Sequence, residues 1–324
     1  MSQMKNLMAL ALLAPKAMLL GVLAASCAGS LGTAHRLLEL TSHFKVQYLT
    51  AACLCVLAFA LARRWRWAAA AACIAALNAA YVVPYYFPAP RSSGGVARRT
   101  RVKVLLANVN AANADYERLL ALARATSPDV VVVQEATEGW ARAFEEISPD
   151  FPHSHVVARP DTFGIAVYSR LPLRDAKTVA LGGAQIPSVT VMVEAGGASF
   201  SLVTAHTYPP LAGLFEGRNE QLAQLAVLAS GSARPVVLVG DLNASPWSPH
   251  FAKLLRETGL RDARRGFGVL PTWPTYRRIM SVPIDHCLVS PEVTIISVET
   301  GTEIGSDHLP LVVTLEVPES RPPN

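Results

Sequence analysis

The sequence predicts an α/β domain built on two packed sheets, carried behind an apolar helical N-terminal third. Three observations lead there. Charge is split unevenly: residues 1–100 hold ten Lys/Arg and a single acid, Glu39, whereas residues 101–324 hold 19 Lys/Arg and 23 Asp/Glu. The first third contains uncharged runs of membrane-crossing length. The remainder strings together short apolar runs, some continuous and some alternating, with few helical stretches between them, which is the pattern of a sandwich rather than a bundle.

The uncharged runs are Val46–Ala62 and Trp67–Pro90. A spanning helix needs about 20 apolar residues, about 17 at the short end, so both qualify. Leu7–Ser26 also has the length, although Pro15 and Lys16 interrupt it, and residues 1–90 are read as a transmembrane region of three helices. A cleaved signal is disfavoured because further hydrophobic spans follow. Arg63, Arg64 and Arg66 form the tight turn between the last two spans, which the positive-inside rule assigns to the cytoplasm. The third span then ends outside, with Tyr81, Tyr85, Tyr86 and Phe87 as an aromatic belt; Arg91, Arg98, Arg99 and Arg101 pull the other way. The expected location is a bacterial inner membrane, crossed several times, with the rest of the chain on the periplasmic side.

The net charge of +5 comes entirely from the first third, and residues 101–324 stand at −4. Grip on long nucleic acid usually needs a basic patch, because neutralised phosphates release counterions. The basic residues read instead as membrane-flanking charge, and a lipid bilayer is an expected partner; no protein partner is predicted. The five cysteines (Cys27, Cys53, Cys55, Cys73 and Cys287) have no zinc-site spacing and read as free thiols in apolar surroundings.

Arg91–Arg101 (RSSGGVARRTR) is a Ser/Gly-rich linker. The domain follows, over residues 102–324. Its expected strands are Val102–Ala107, Val130–Val133, Ile165–Tyr168, Val189–Val193, Phe200–Thr204, Val236–Val239, Ile284–Val289 and Leu311–Leu315. Expected helices are Asn113–Thr126, ended by Ser127-Pro128-Asp129, then Arg218–Ser230 and Pro249–Glu257.

Chemistry gathers where these strands stop. Glu135 ends VVVQE, His206 ends the run through TAH, and Asp241 and Asn243 lie in GDLN. Asp285 opens IDH, and Asp307 and His308 lie in SDHLP. Strand ends are where a rigid scaffold presents functional groups. Any one acid there is ordinarily a turn or cap residue; five such ends, all polar, are hard to explain as five independent turns. The set suits phosphate-ester hydrolysis, which needs oxygen ligands for a hard cation, a base for water, and donors for developing charge. Glu135 and Asp307 offer the ligands Mg²⁺ prefers, Asp241 can orient or deprotonate water, and His206, His308 and Asn243 can donate to phosphate oxygens. Asp285 is placed to fix the tautomer of a histidine.

Asn108 after VLLA, VVVQE, GIAVYSR, TAH, GDLN, IDH and SDHLP together, in this order over residues 102–316, resemble the endonuclease/exonuclease/phosphatase superfamily. The resemblance implies a four-layer α-β-β-α sandwich with a site at one edge of the paired sheets. It implies Mg²⁺ or Mn²⁺ as cofactor, held by Asn108 and Glu135 with Asp307 near it. Asp241 would orient or deprotonate water, Asn243 would hold phosphate, and His308, oriented by Asp285, would contact the scissile group with His206 as the second phosphate-side histidine. Asn110 is the alternative to Asn108. The substrate class is a phosphate ester: a lipid headgroup, a nucleotide or nucleic acid.

The chain departs from the family pattern in two places. No catalytic tyrosine can be assigned, since Tyr168 lies inside a strand pattern, and His286 takes the place of the usual aromatic after Asp285, where strand alternation turns it away. Leu270–Tyr276 (LPTWPTY) resembles a loop beside the site in membrane-anchored relatives, so Trp273 and Arg277 are candidate substrate contacts, weighed against a packed aromatic and a solvated cation. Two other functions stay open: a DNA or RNA endonuclease of the same fold, and an inactive membrane-tethered binding module.

Overall fold

The computed structural model describes residues 12–87 and 98–319. The apolar third forms three long helices, α1 (Leu13–Ser30), α3 (Lys45–Leu61) and α4 (Trp65–Val82). A short helix, α2 (Arg36–Leu40), and a 3₁₀ turn at Thr41–Phe44 join α1 to α3. Three helical stretches, Leu13–Ser30, Arg36–Leu61 and Trp65–Tyr85, are long and apolar enough to cross a membrane. α1 includes Pro15 and Lys16 in its first turn, where a proline removes only an N–H that has no intrahelical partner anyway. The described helix reaches Ser30, four residues beyond the expected end at Ser26, and the expected start at Leu7 lies outside the described residues. Within the bundle Asn78 is fully buried and donates to Ser26 Oγ at 3.0 Å, satisfying a polar pair among apolar neighbours.

The domain is a pair of six-stranded sheets. One runs in the order β11 (Thr294–Thr300), β12 (Leu311–Pro318), β1 (Arg99–Asn108), β2 (Val130–Gln134), β4 (Ile165–Ser169), β3 (His153–Val157). The other runs β5 (Leu173–Leu181), β6 (Ile186–Ala195), β7 (Ala198–Ala205), β8 (Val236–Asp241), β10 (Asp285–Val289), β9 (Arg261–Asp262). Side chains alternate across each strand, and the alternation sorts the core into layers. Val102, Val104, Leu106, Val130 and Val132 point into the cluster between the sheets, with Val237, Val239, Cys287 and Val289 from the other side. Leu105, Ala107, Val131 and Val133 point outward against α5 (Tyr116–Thr126) and α6 (Glu138–Glu145). Leu238 and Leu288 likewise pack under α7 (Phe215–Gly231) and α8 (Pro249–Thr258). The result is the four-layer α-β-β-α sandwich.

Differences from the sequence reading have local causes. β1 begins at Arg99, inside the expected linker, because the Arg99 guanidinium bonds the Glu292 carbonyl and Thr294 Oγ1, both at 2.9 Å. The segment 91–97 lies outside the described residues. α5 starts at Tyr116 instead of Asn113, since the Asn113 side chain holds a turn by bonding the Val109 and Ile304 carbonyls and the Asp115 N–H.

Two parallel pairs, β1–β2 and β7–β8, set the site. Their C-terminal ends bring Asn108 opposite Gln134 in one sheet, and antiparallel β10 brings Asp285 opposite Asp241 in the other. Gly240 lets the strands close here: a Cβ would lie 2.0 Å from the Ala205 carbonyl oxygen.

Candidate active site

The polar strand ends converge into one hydrogen-bonded cluster. Gln134 is its hidden keel: fully buried, it accepts the Asp241 N–H at 2.7 Å and donates to the Ala205 carbonyl at 2.6 Å, joining the two sheets. Asn108 Nδ2 lies 3.0 Å from Glu135 Oε1 and 3.2 Å from Asp241 Oδ2. Asn108 Oδ1 accepts the Asn110 N–H, and Asn110 donates to Asp307 Oδ1 at 2.9 Å. Both asparagines are therefore present, Asn108 in the centre and Asn110 bracing Asp307. Glu135, Asn110 and Asn243 all have positive φ (62°, 60° and 46°), a backbone state seldom adopted by residues with a Cβ and concentrated at functional sites.

On the far side of Asp241 stand the two histidines. His206 Nε2 is 3.5 Å and His308 Nε2 3.7 Å from Asp241 Oδ2. His308 Nδ1 lies 2.9 Å from Asp285 Oδ2, with both groups buried, so the expected Asp–His pair is formed. Asn243 takes its place through its N–H to Asp241 Oδ1 and its amide to the Thr207 carbonyl, both at 2.9 Å, and its amide also lies 3.4 Å from His206 Nε2. Trp273 is drawn in from its loop, donating Nε1–H to Asp307 Oδ2 at 2.9 Å. Arg277 is not; it is exposed and stands outside the cluster.

Burial and charge push the two central acids apart. Burial raises the Asp241 carboxyl, and the neighbouring Asp285 raises it further. Burial would do the same to Asp285, but the charge and hydrogen bond of His308 overcome it and hold Asp285 below the usual carboxylate range. Burial pulls His308 down, yet Asp285, Asp241 and Asp307 together lift it to about 10. His206 is lowered by burial. Two acids with opposed shifts beside a charged and a neutral histidine form the kind of pairing that separates acid from base roles.

A hard cation fits this set. Asp241, Asp285 and His308 have ligand atoms within 4.8 Å of one another. The Asp285-bound, protonated His308 has no lone pair for a metal, however, so that trio reads as proton-handling groups. Glu135 and Asp307 are better donors: their oxygens meet only neutral N–H groups from Asn108, Ala111, Asn110 and Trp273. Among the described residues neither has an ion-pair partner. Oxygen ligands of that kind are what Mg²⁺ and Mn²⁺ take.

Two buried arginines escaped the sequence reading. Arg218, on α7, donates to the Asn243 carbonyl at 3.0 Å and pairs with Glu39 of α2. Arg264 donates to the Asp285 carbonyl and lies 3.1 Å from His286 Nδ1. Each thus grips the backbone of a candidate site residue from behind. Arg218 left a signal, since it is in phase with Leu222, Leu225 and Ala229 on the buried face of its helix; Arg264, in an irregular loop, left none. His286 faces away from the cluster and bonds the Ala244 carbonyl, as alternation predicts, and Tyr168 stacks on Phe144 in the core.

The chain belongs to the endonuclease/exonuclease/phosphatase family, whose model matches residues 105–308. No curated protein sequence matches it. Among solved structures, an endonuclease/exonuclease/phosphatase from Beutenbergia cavernae is similar at 22% identity and TM-score 0.57, covering 68% of this chain and 72% of that one. D. rerio TDP2 complexed with a single-strand DNA product is similar at 16% identity and TM-score 0.57, over 66% of this chain and 98% of that one. Sphingomyelinase C from Streptomyces griseocarneus is similar at 20% identity and TM-score 0.52, over 66% of this chain and 99% of that one. At these identities the likeness is one of fold.

Proposed function

We propose that the chain is a membrane-anchored phosphoesterase that hydrolyses a phosphodiester or phosphomonoester by attack of water, with Mg²⁺ or Mn²⁺ as cofactor. The observation that carries this reading is the buried Asp285–His308 pair facing Asp241, beside two acids without a cationic partner. Glu135, Asn108 and Asp307 would hold the ion, which when bound neutralises phosphate-oxygen charge. Asp241 orients the attacking water and accepts its proton as the new P–O bond forms and the ester P–O bond breaks. Asn243 and His206 hold phosphate oxygens, and the protonated His308, kept in place by Asp285, faces the charge that builds on the scissile group.

Anchoring is supported by the three apolar helices and by where charge lies along them. Lys16 stacks on Trp67 at 5.2 Å, at the same end of the bundle as Arg63, Arg64 and Arg66, while among the described residues the polar contacts to the domain are made from the other end. The basic end is assigned to the cytoplasm and the domain to the periplasmic side. The test is hydrolysis by the intact, detergent-solubilised protein of a generic phosphodiester, phospholipids, sphingomyelin, inositol phosphates, plasmid DNA and RNA, each with Mg²⁺, Mn²⁺ and EDTA. Turnover of one class that disappears in EDTA is expected. No turnover of any, or turnover indifferent to EDTA, refutes the reading.

A further inference from the structure

The segment after Trp273 has a surface that packing does not account for. Thr275–Met280 forms an irregular 3₁₀ turn of sequence TYRRIM with none of its residues buried. Tyr276 is 69% exposed, Ile279 85% and Met280 45%, with Arg277 and Arg278 between them. Three large apolar side chains standing in water on one short turn are costly, whereas single scattered ones are ordinary.

The turn is fixed at both ends. On one side Gln47 Nε2, in the first turn of α3, donates to the Ile279 carbonyl at 3.0 Å and the Ser281 carbonyl at 3.1 Å. α3 belongs to a membrane-length stretch, so the turn is held at the level where that helix begins. On the other side Thr275 N–H donates to the Asp307 carbonyl at 3.0 Å, and Trp273 donates to the Asp307 carboxylate. One six-residue segment thus runs from the end of a spanning helix to the wall of the candidate site. Arg278 pairs with Glu303 at 2.6 Å on the exposed surface, and Arg277 is exposed beside it. Apolar side chains flanking an exposed guanidinium are the composition of interfacial elements, which bury apolar groups among acyl chains while the cation meets anionic headgroups. Leu37, on α2, and Tyr86 and Phe87, after α4, are exposed at the same end of the bundle.

We propose that Tyr276–Met280 is a bilayer-contact element, seated in an anionic lipid surface, that turns the mouth of the site toward the membrane so that the phosphoester it takes is a lipid headgroup. This rests on the anchored-phosphoesterase reading and names its substrate class. Geometry favours it over a soluble nucleotide or nucleic acid, because the site's wall and the membrane-facing turn are the same stretch of chain.

The test uses the full chain in vesicles of anionic or zwitterionic phospholipid. An environment-sensitive fluorophore is attached at Ile279→Cys, with Cys27, Cys53 and Cys73 replaced by Ala. A blue-shifted emission, stronger in anionic vesicles, is expected; water-like emission from protein that co-floats with the vesicles overturns the proposal while leaving the anchor intact. In parallel, Ile279→Ser with Met280→Ser should lower hydrolysis of vesicle phospholipid about tenfold and leave a small soluble phosphodiester unchanged. Equal effects on both substrates, or none on either, overturn the lipid assignment. A wild type inert toward the soluble diester too would instead sink the phosphoesterase reading, and the emission result would still stand on its own.

Discussion

Glu39 is the only acid among the first hundred residues, and it sits fully buried against Arg218, also fully buried. Its second oxygen accepts the Ser248 hydroxyl. Replacing Glu39 with Gln keeps the shape and removes the charge, which leaves a guanidinium inside the protein with only neutral partners. Breaking a buried pair in this way costs about 3–5 kcal/mol, and the amide's remaining hydrogen bonds place the loss near the lower figure. For a unit of this size about 1 kcal/mol corresponds to roughly 2–4 °C, so the melting temperature should fall by about 6–12 °C. The double variant Glu39→Leu with Arg218→Met should recover most of that, since well-packed apolar residues replace a buried ion pair at little cost. It should not recover turnover, because the Asn243 carbonyl has lost the donor that steadies its strained backbone. Melting followed by circular dichroism, with turnover per folded molecule, separates the two effects. A Glu39→Gln protein melting within two degrees of wild type, or a double variant regaining both stability and turnover, would refute the reasoning.

Four further outcomes follow from the site and the bundle. Glu135→Gln should depress hydrolysis steeply and regain part of it at high Mg²⁺; a variant insensitive to added metal would remove Glu135 from the ion's ligands. Asp285→Asn and His308→Ala should each cost about 10²–10⁴-fold in turnover, with the double variant little worse than His308→Ala, since groups acting as a unit are not additive; additive losses would dissolve the pair. In EDTA, His308 has a folded pKa raised from 6.5 to about 10, so its contribution to stability is complete below pH 6.5 and lost as pH rises toward 10; a His308→Asn melting profile as steep as wild type over that window would contradict it. A periplasm-dependent reporter fused after Asn324 should be active and a cytoplasm-dependent one silent, the reverse overturning the assigned orientation.

What the sequence disclosed and what it hid divide along a physical line. The eight strands legible from apolar runs, β1, β2, β4, β6, β7, β8, β10 and β12, are the interior members of the two sheets. The four that were missed, β3, β5, β9 and β11, are the edges. An interior strand has at least one face in the core, so it reads as a near-continuous apolar run, as VVVVQ does in β2, or as an alternation of apolar and polar residues, as in β6. An edge strand such as β5, exposed along most of its length, carries charge that protects it from pairing with other chains and removes the periodic signal. α6, built from only eight residues, fell below the length at which helical spacing can be told from chance.

The site was legible for a related reason. Its groups are anchored at the ends of those same interior strands, so finding the strand found the residue. Asn108, Glu135, His206, Asp241, Asn243, Asp285, Asp307 and His308 all entered the cluster that way, and Trp273 joined it from a loop. What stayed hidden is the support behind them. Arg218 and Arg264 act through backbone carbonyls, which accept from any donor and impose no motif on the sequence. Glu39 lay further off still, on a five-residue helix between long apolar ones, where one acid reads as an accident of composition. Its meaning appears only with its partner, and that partner ties the helical bundle to Asn243. The bundle therefore supplies one half of a buried ion pair beneath the candidate phosphate-holding loop. A domain cut free after residue 98 would lose Glu39 and expose Arg218 at a face that the intact chain covers.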